Sequence, residues 1–163
     1  MSLKEDFFPF LSIKKFSFEE KPSPISPDLR ILRRIAQILL VLELCSIGKK
    51  ASLEKIQFFL SSLDTREKIE DLLNYNGDSI IKTYWLSVNY NPYVNRACDY
   101  ALGSGFIAYN SKRNFKMTSL GENFINYILK DKDLLSYEKS ILESIGKTKF
   151  TEKVIKSLLL GEE

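Results

Sequence analysis

Between residues 26 and 47 apolar positions recur at three- and four-residue spacing. Ile31, Ile35, Ile38, Leu39 and Leu42 share one face, and Leu32, Ala36, Leu40, Val41 and Leu44 widen it beyond a single stripe. The pattern predicts a long helix running to about Ile47 and coated widely enough to be central. Ser26-Pro27-Asp28 supplies its start: a capping hydroxyl, a proline suited to the first turn, and a carboxylate near the positive end of the helix dipole. Gly48 stands where a left-handed residue ends a helix. Ser52 then caps a short second helix with Leu53, Ile56, Phe59 (or Leu60) and Leu63 inward. Asp64 and Glu67 have the spacing of a capping box for a third, with Ile69, Leu72 and Leu73 inward. Asn76-Gly77-Asp78 interrupts the helical pattern, and the β-branched and aromatic run from Ser79 to Tyr90 reads as an extended strand.

Asn91-Pro92 opens a fourth helix, with Val94, Ala97, Cys98, Ala101 and Leu102 inward and Gly103 or Gly105 as its stop. Residues Phe106 to Tyr109 and Phe115 to Thr118 read as two short strands around the basic turn Asn110-Ser111-Lys112-Arg113-Asn114. Thr118-Ser119-Leu120-Gly121 begins a further helix, Glu122 to Leu129. Two more amphipathic helices follow, around Leu134 to Ile145 and Thr151 to Leu160. Helix, glycine, strand, basic turn, strand, Thr-x-x-Gly, helix is the order of a winged helix-turn-helix, the hairpin being the wing. The expected fold class is therefore mainly α with a small β-hairpin (α+β). It divides into an N-terminal aromatic arm (1–27), a winged-helix domain (28–130) and a C-terminal helical extension (131–163).

The arm carries Phe7, Phe8, Phe10, Phe16 and Phe18 among Pro9, Pro22, Pro24 and Pro27, a mixture that excludes a regular helix. Alternation from Ser12 to Phe18 suits a strand, and five phenylalanines call for a docking surface. That surface is either the arm's own domain or another subunit.

Composition narrows the chemistry. In 163 residues there is no histidine, which removes Ser-His and Cys-His nucleophile pairs and nearly all catalytic zinc sites. Cys45 and Cys98 lie beside apolar residues without CxxC spacing, and we expect buried free thiols. Gly146-Lys147-Thr148 lacks the upstream glycine and preceding strand of a phosphate loop. The carboxylate pairs Glu19-Glu20, Asp131/Asp133 and Glu162-Glu163 read as solvated surface. No enzymatic activity, cofactor or metal is expected. The N-terminus has no secretion signal, and Ile35 to Ile47 is short of the roughly 20 residues of a membrane span, so the expected location is cytoplasmic with no membrane partner.

Net charge is +3 and the isoelectric point about 8.7, with the positive excess concentrated in residues 28–63 and 80–118. Such a balance permits nucleic-acid contact without demanding it. Lys112, Arg113 and Lys116 on the wing are the candidate DNA contacts, joined by Arg96 on the fourth helix beside Asn91 and Asn95. A helix that reads a major groove usually presents several Arg, Asn, Gln or Lys side chains, and this one offers a single arginine. Arg30, Arg33 and Arg34, on the first turns of the long helix, are either a solvated face or a contact for an acidic partner or DNA backbone, and the five arm phenylalanines either pack on their own domain or contact a partner subunit. A winged-helix DNA-binding transcription regulator is the alternative that the basic wing keeps open.

Four blocks, Asp28 to Leu42, Gly48 to Gln57, Asn91 to Ile107 and Met117 to Gly121, together resemble the middle components of bacterial three-component ABC ATPase systems, including the small subunit of Lamassu-type defence complexes. The resemblance spans roughly residues 26 to 130 in separated pieces and includes no catalytic signature. It implies a winged-helix adaptor between an SMC-like ABC ATPase and an effector nuclease in anti-phage or anti-plasmid immunity. ATP hydrolysis and DNA cleavage would belong to those partners.

Overall fold

In the computed structural model, which describes residues 27–77 and 91–160, the long helix α1 (Pro27–Leu44) runs through the middle of the molecule. From Ile35 to Leu42 every residue is buried, Gln37 included. Burial on all sides explains why its apolar pattern is wider than one face. Helix α2 (Leu53–Ser62), α4 (Pro92–Gly103), α5 (Ser119–Lys130) and α6 (Ser136–Ile145) pack around it, with α3 (Arg66–Asn74) against α6 and α7 (Glu152–Leu160) against α2. Three short strands, β1 (Lys50–Ala51), β2 (Ile107–Tyr109) and β3 (Phe115–Met117), form an antiparallel sheet in the order β1-β3-β2. The fold is mainly helical with a small sheet.

The details depart from expectation in four places. Helix α1 stops at Leu44 rather than Ile47, and Ile47–Lys49 tightens into a 3₁₀ turn in which Gly48 takes the left-handed conformation (φ 67°). Lys50 and Ala51 then pair with Lys116 and Phe115 as β1, a strand too short to produce a period-two pattern. No capping box forms at Asp64: Thr65 is the N-cap of α3, without a side-chain cap, and the Asp64 carboxylate accepts from Arg34 Nη2 at 2.7 Å instead. Leu73, expected inward, is 41% exposed, while Ile69 and Leu72 are buried. The arm phenylalanines and the segment from Ser79 to Tyr90 lie outside the described residues.

Helix α5 starts at Ser119, within the Thr118–Gly121 stretch expected to begin it, and Thr118 fixes that start. Its Oγ1 accepts from the Gly121 amide (3.2 Å) and lies 2.6 Å and 3.0 Å from the carbonyls of Gly105 and Phe106. One hydroxyl thus joins the first turn of α5 to the turn that ends α4, which accounts for Thr-x-x-Gly. The helices beyond residue 131 share the central core. Cys45 donates to the Leu142 carbonyl, and Phe150 packs with Phe58, Phe59 and Tyr75 at ring separations of 5.0–5.9 Å.

Candidate functional site

The hairpin tip is built by Asn110. Its side-chain oxygen accepts from the amides of Lys112 and Asn114 (2.9 and 3.0 Å), and its carbonyl accepts from the Arg113 amide at 3.0 Å. Arg113 closes this three-residue loop with φ 58°, the left-handed position that favours glycine. Holding an arginine there costs on the order of 1 kcal/mol. Lys112 and Arg113 are both exposed, and neither forms an ion pair among the described residues.

What faces the tip is decided by a contact far along the chain. Glu152, the first residue of α7, accepts from the Ser52 amide (2.9 Å) and hydroxyl (2.7 Å), while Ser52 also caps α2 by accepting from the Lys55 amide. Buried Lys55 reinforces the joint by donating to the Phe150 carbonyl at 2.8 Å. Burial pushes its ammonium below the ordinary lysine value, an effect partly offset by Glu152. The starts of α2 and α7 are thereby held together, and α7 presents Lys153 and Lys156 toward the hairpin tip. A cleft of about 570 Å³ results, with Lys112, Arg113, Lys153 and Lys156 on its walls together with the carboxylates of Glu54 and Glu152. A second hollow of about 400 Å³ is lined by Leu53, Tyr109, Arg113 and Phe115, so that Leu53 and Arg113 border both.

Of the other candidate DNA contacts, Lys116 lies exposed in the middle strand, on the face of the sheet opposite Phe115 and Met117 and beside Lys50. It lines neither cavity. Arg96 stands on the exposed face of α4 with Tyr93 (67% exposed), Tyr100 (56%) and Asp99. Asn95 turns inward, accepting from Gln57 Nε2 at 2.7 Å, and Asn91 caps the helix by accepting from the Tyr93 amide. Two of the polar side chains near Arg96 are therefore committed to the fold.

The α1 arginines separate in the same way. Arg33 donates to Glu138 of α6 and Arg34 to Asp64, each at 2.7 Å, whereas Arg30 is exposed with no ion pair among the described residues. The sequence left this division open because both acidic partners come from other elements. Lys153 and Lys156 are not legible as site residues for the same reason: the packing of α7 on α2 and the Ser52–Glu152 joint, both between distant parts of the chain, bring them to the cleft.

Both cysteines are buried, and desolvation pushes each thiol up to about 12. Among the described residues no cluster of three or more His, Cys, Asp or Glu is placed to hold a metal, and no helix is long and apolar enough to cross a membrane. No protein-family model matches the chain, and no curated protein or solved structure is detectably similar to it.

Proposed function

We propose that the chain is a winged-helix adaptor: a non-catalytic, cytoplasmic subunit that bridges an SMC-like ABC ATPase and an effector nuclease in a bacterial anti-phage or anti-plasmid complex. DNA contact, where it occurs, runs through the hairpin. Support for the winged-helix reading comes from the β1-β3-β2 order, with helices between β1 and β2 and the basic hairpin directly after α4. The identity of the partners rests on the resemblance carried by residues 26 to 130.

The observation that carries the adaptor reading is the exposed face of α4. In a winged helix this is the helix placed to read bases, a task that calls for several arginine, asparagine, glutamine or lysine side chains. Here the face presents Tyr93, Arg96 and Tyr100 with Asp99 among them. Tyrosine and arginine are the residues over-represented in protein interfaces, where a large ring with one polar end contributes area at little entropic cost. With one carboxylate against one cation, this face offers no positive excess to a phosphate backbone.

Expression together with the neighbouring genes tests the reading, since the chain should copurify with an ATPase subunit through repeated chromatographic steps. The second reading, a transcription regulator, draws on the exposed hairpin cations Lys112, Arg113 and Lys116. It requires sequence-selective binding to a promoter fragment at physiological salt.

A further inference from the structure

We propose that the two adjoining hollows at the hairpin tip form a site for single-stranded nucleic acid, with an unpaired base stacked on Tyr109 and the adjacent phosphates held by Lys112, Arg113, Lys153 and Lys156. The inference builds on the hairpin's part in the function proposed above. It does not depend on the protein-bridging role of α4.

Three observations converge on it. First, the cleft's four cations come from two elements and none forms an ion pair among the described residues. Two carboxylates, Glu54 and Glu152, oppose them; Glu152 is held by Ser52 but keeps its charge, so the cations remain in excess. Second, Tyr109 is 60% exposed although one face of its ring stacks on Phe115, with centroids 5.0 Å apart and planes at 29°. Both rings line the smaller hollow, together with Leu53 and Arg113. Third, Arg113 borders both hollows from a left-handed position that glycine would fill without strain. A cation kept at that cost sits where a base slot meets a phosphate cleft.

The combination selects an unpaired strand over a duplex. Bases within a duplex are stacked on each other and cannot offer a face to Tyr109, whereas single strands are bound by aromatic platforms beside a cationic track. An acidic peptide would use the cations but gain little from the ring.

The test measures fluorescence anisotropy of the full chain with a labelled 12-nucleotide poly-dT strand, a 12-base-pair duplex and a poly-glutamate peptide. The strand should bind more tightly than the other two. Tyr109→Ala should weaken strand binding about tenfold or more while leaving duplex binding unchanged. Lys153→Ala/Lys156→Ala should weaken it and reduce the salt slope by about 1.4, the value for two lost phosphate contacts on a single strand. Arg113→Gly relieves the turn and removes the cation, so loss of affinity in that variant is not a folding defect. The proposal is overturned if the strand does not bind, if Tyr109→Ala binds it unchanged, or if the duplex or poly-glutamate binds as tightly. Retention of the ATPase partner by Tyr109→Ala separates failure here from failure of the adaptor reading.

Discussion

Arg33 Nη2 lies 2.7 Å from Glu138 Oε1, a contact that spans 105 positions of the chain and ties α6 to the first turns of α1. The carboxylate is buried and also accepts from Gln37 Nε2 at 3.2 Å, while the arginine remains largely in solvent. Burial pushes the Glu138 carboxyl up, but the Arg33 and Gln37 hydrogen bonds and the arginine's charge outweigh it and hold the group below its ordinary value of 4.5.

Glu138→Gln should therefore cost about 1–3 kcal/mol at neutral pH, the usual worth of hydrogen bonds to a charged group. Because the folded-state value is depressed, this stability is present above about pH 4.5 and lost as pH falls through the lower folded-state value. Urea titrations from pH 7 downward check both parts: wild type and variant should differ at pH 7, and the difference should shrink as pH falls below 4.5. Arg30→Ala, which loses no ion pair among the described residues, should change stability by less than about 0.5 kcal/mol.

Two glycines should respond to alanine with opposite signs. A Cβ on Gly121 would lie 2.2 Å from the Phe106 carbonyl oxygen, so α5 would have to move off the turn that Thr118 clamps. Gly121→Ala is expected to destabilise by about 1–3 kcal/mol or more. Gly103, in the last turn of α4, has nothing within 4 Å of the same atom, and Gly103→Ala should be neutral or stabilise by up to about 1 kcal/mol. Denaturation midpoints of the two variants decide the matter.

The thiols predict an alkaline limit. Cys45 and Cys98 have an ordinary value of 9.0 and are pushed up to about 12 in the fold. Their contribution is complete below pH 9 and declines as pH rises toward 12, by about 2 kcal/mol per thiol at pH 10.5. Lys55 works in the opposite direction, because its folded-state value is lowered. A Cys45→Ala/Cys98→Ala variant isolates the thiols, and its stability should fall less steeply between pH 9 and 10.5 than that of the wild type. A thiol reagent at pH 8 should label neither cysteine of the native protein and both after unfolding.

The long helix, the Asn91 cap, the hairpin and the glycine turns were legible in the sequence because each is decided by neighbours a few residues apart. Ile35 to Leu42 announce a buried helix by their spacing, and Asn91-Pro92 a helix start by backbone chemistry alone. Strand β1 was not legible, since two residues have no period and Lys50-Ala51 becomes a strand only because β3 lies beside it. Asp64 failed as a cap because Arg34, thirty positions earlier, competes for its carboxylate. The site divides along the same line. Lys112 and Arg113 are visible in a basic turn, whereas Lys153 and Lys156 join them through long-range contacts, the packing of α7 on α2 and the hydrogen bonds between Ser52 and Glu152.

The proposed adaptor role depends on the α4 face, and one measurement addresses it most directly: isolation of the tagged chain from its native host, alone and as Tyr93→Ala/Tyr100→Ala. Both rings are more than half exposed, so the double substitution should leave the melting temperature within a few degrees of wild type. The account predicts that the unaltered chain brings down an ATPase subunit in near-equal amount and that the double variant loses at least tenfold of it, the effect of interface tyrosines. A chain that elutes alone, or a folded double variant that retains its full share of ATPase, would contradict it.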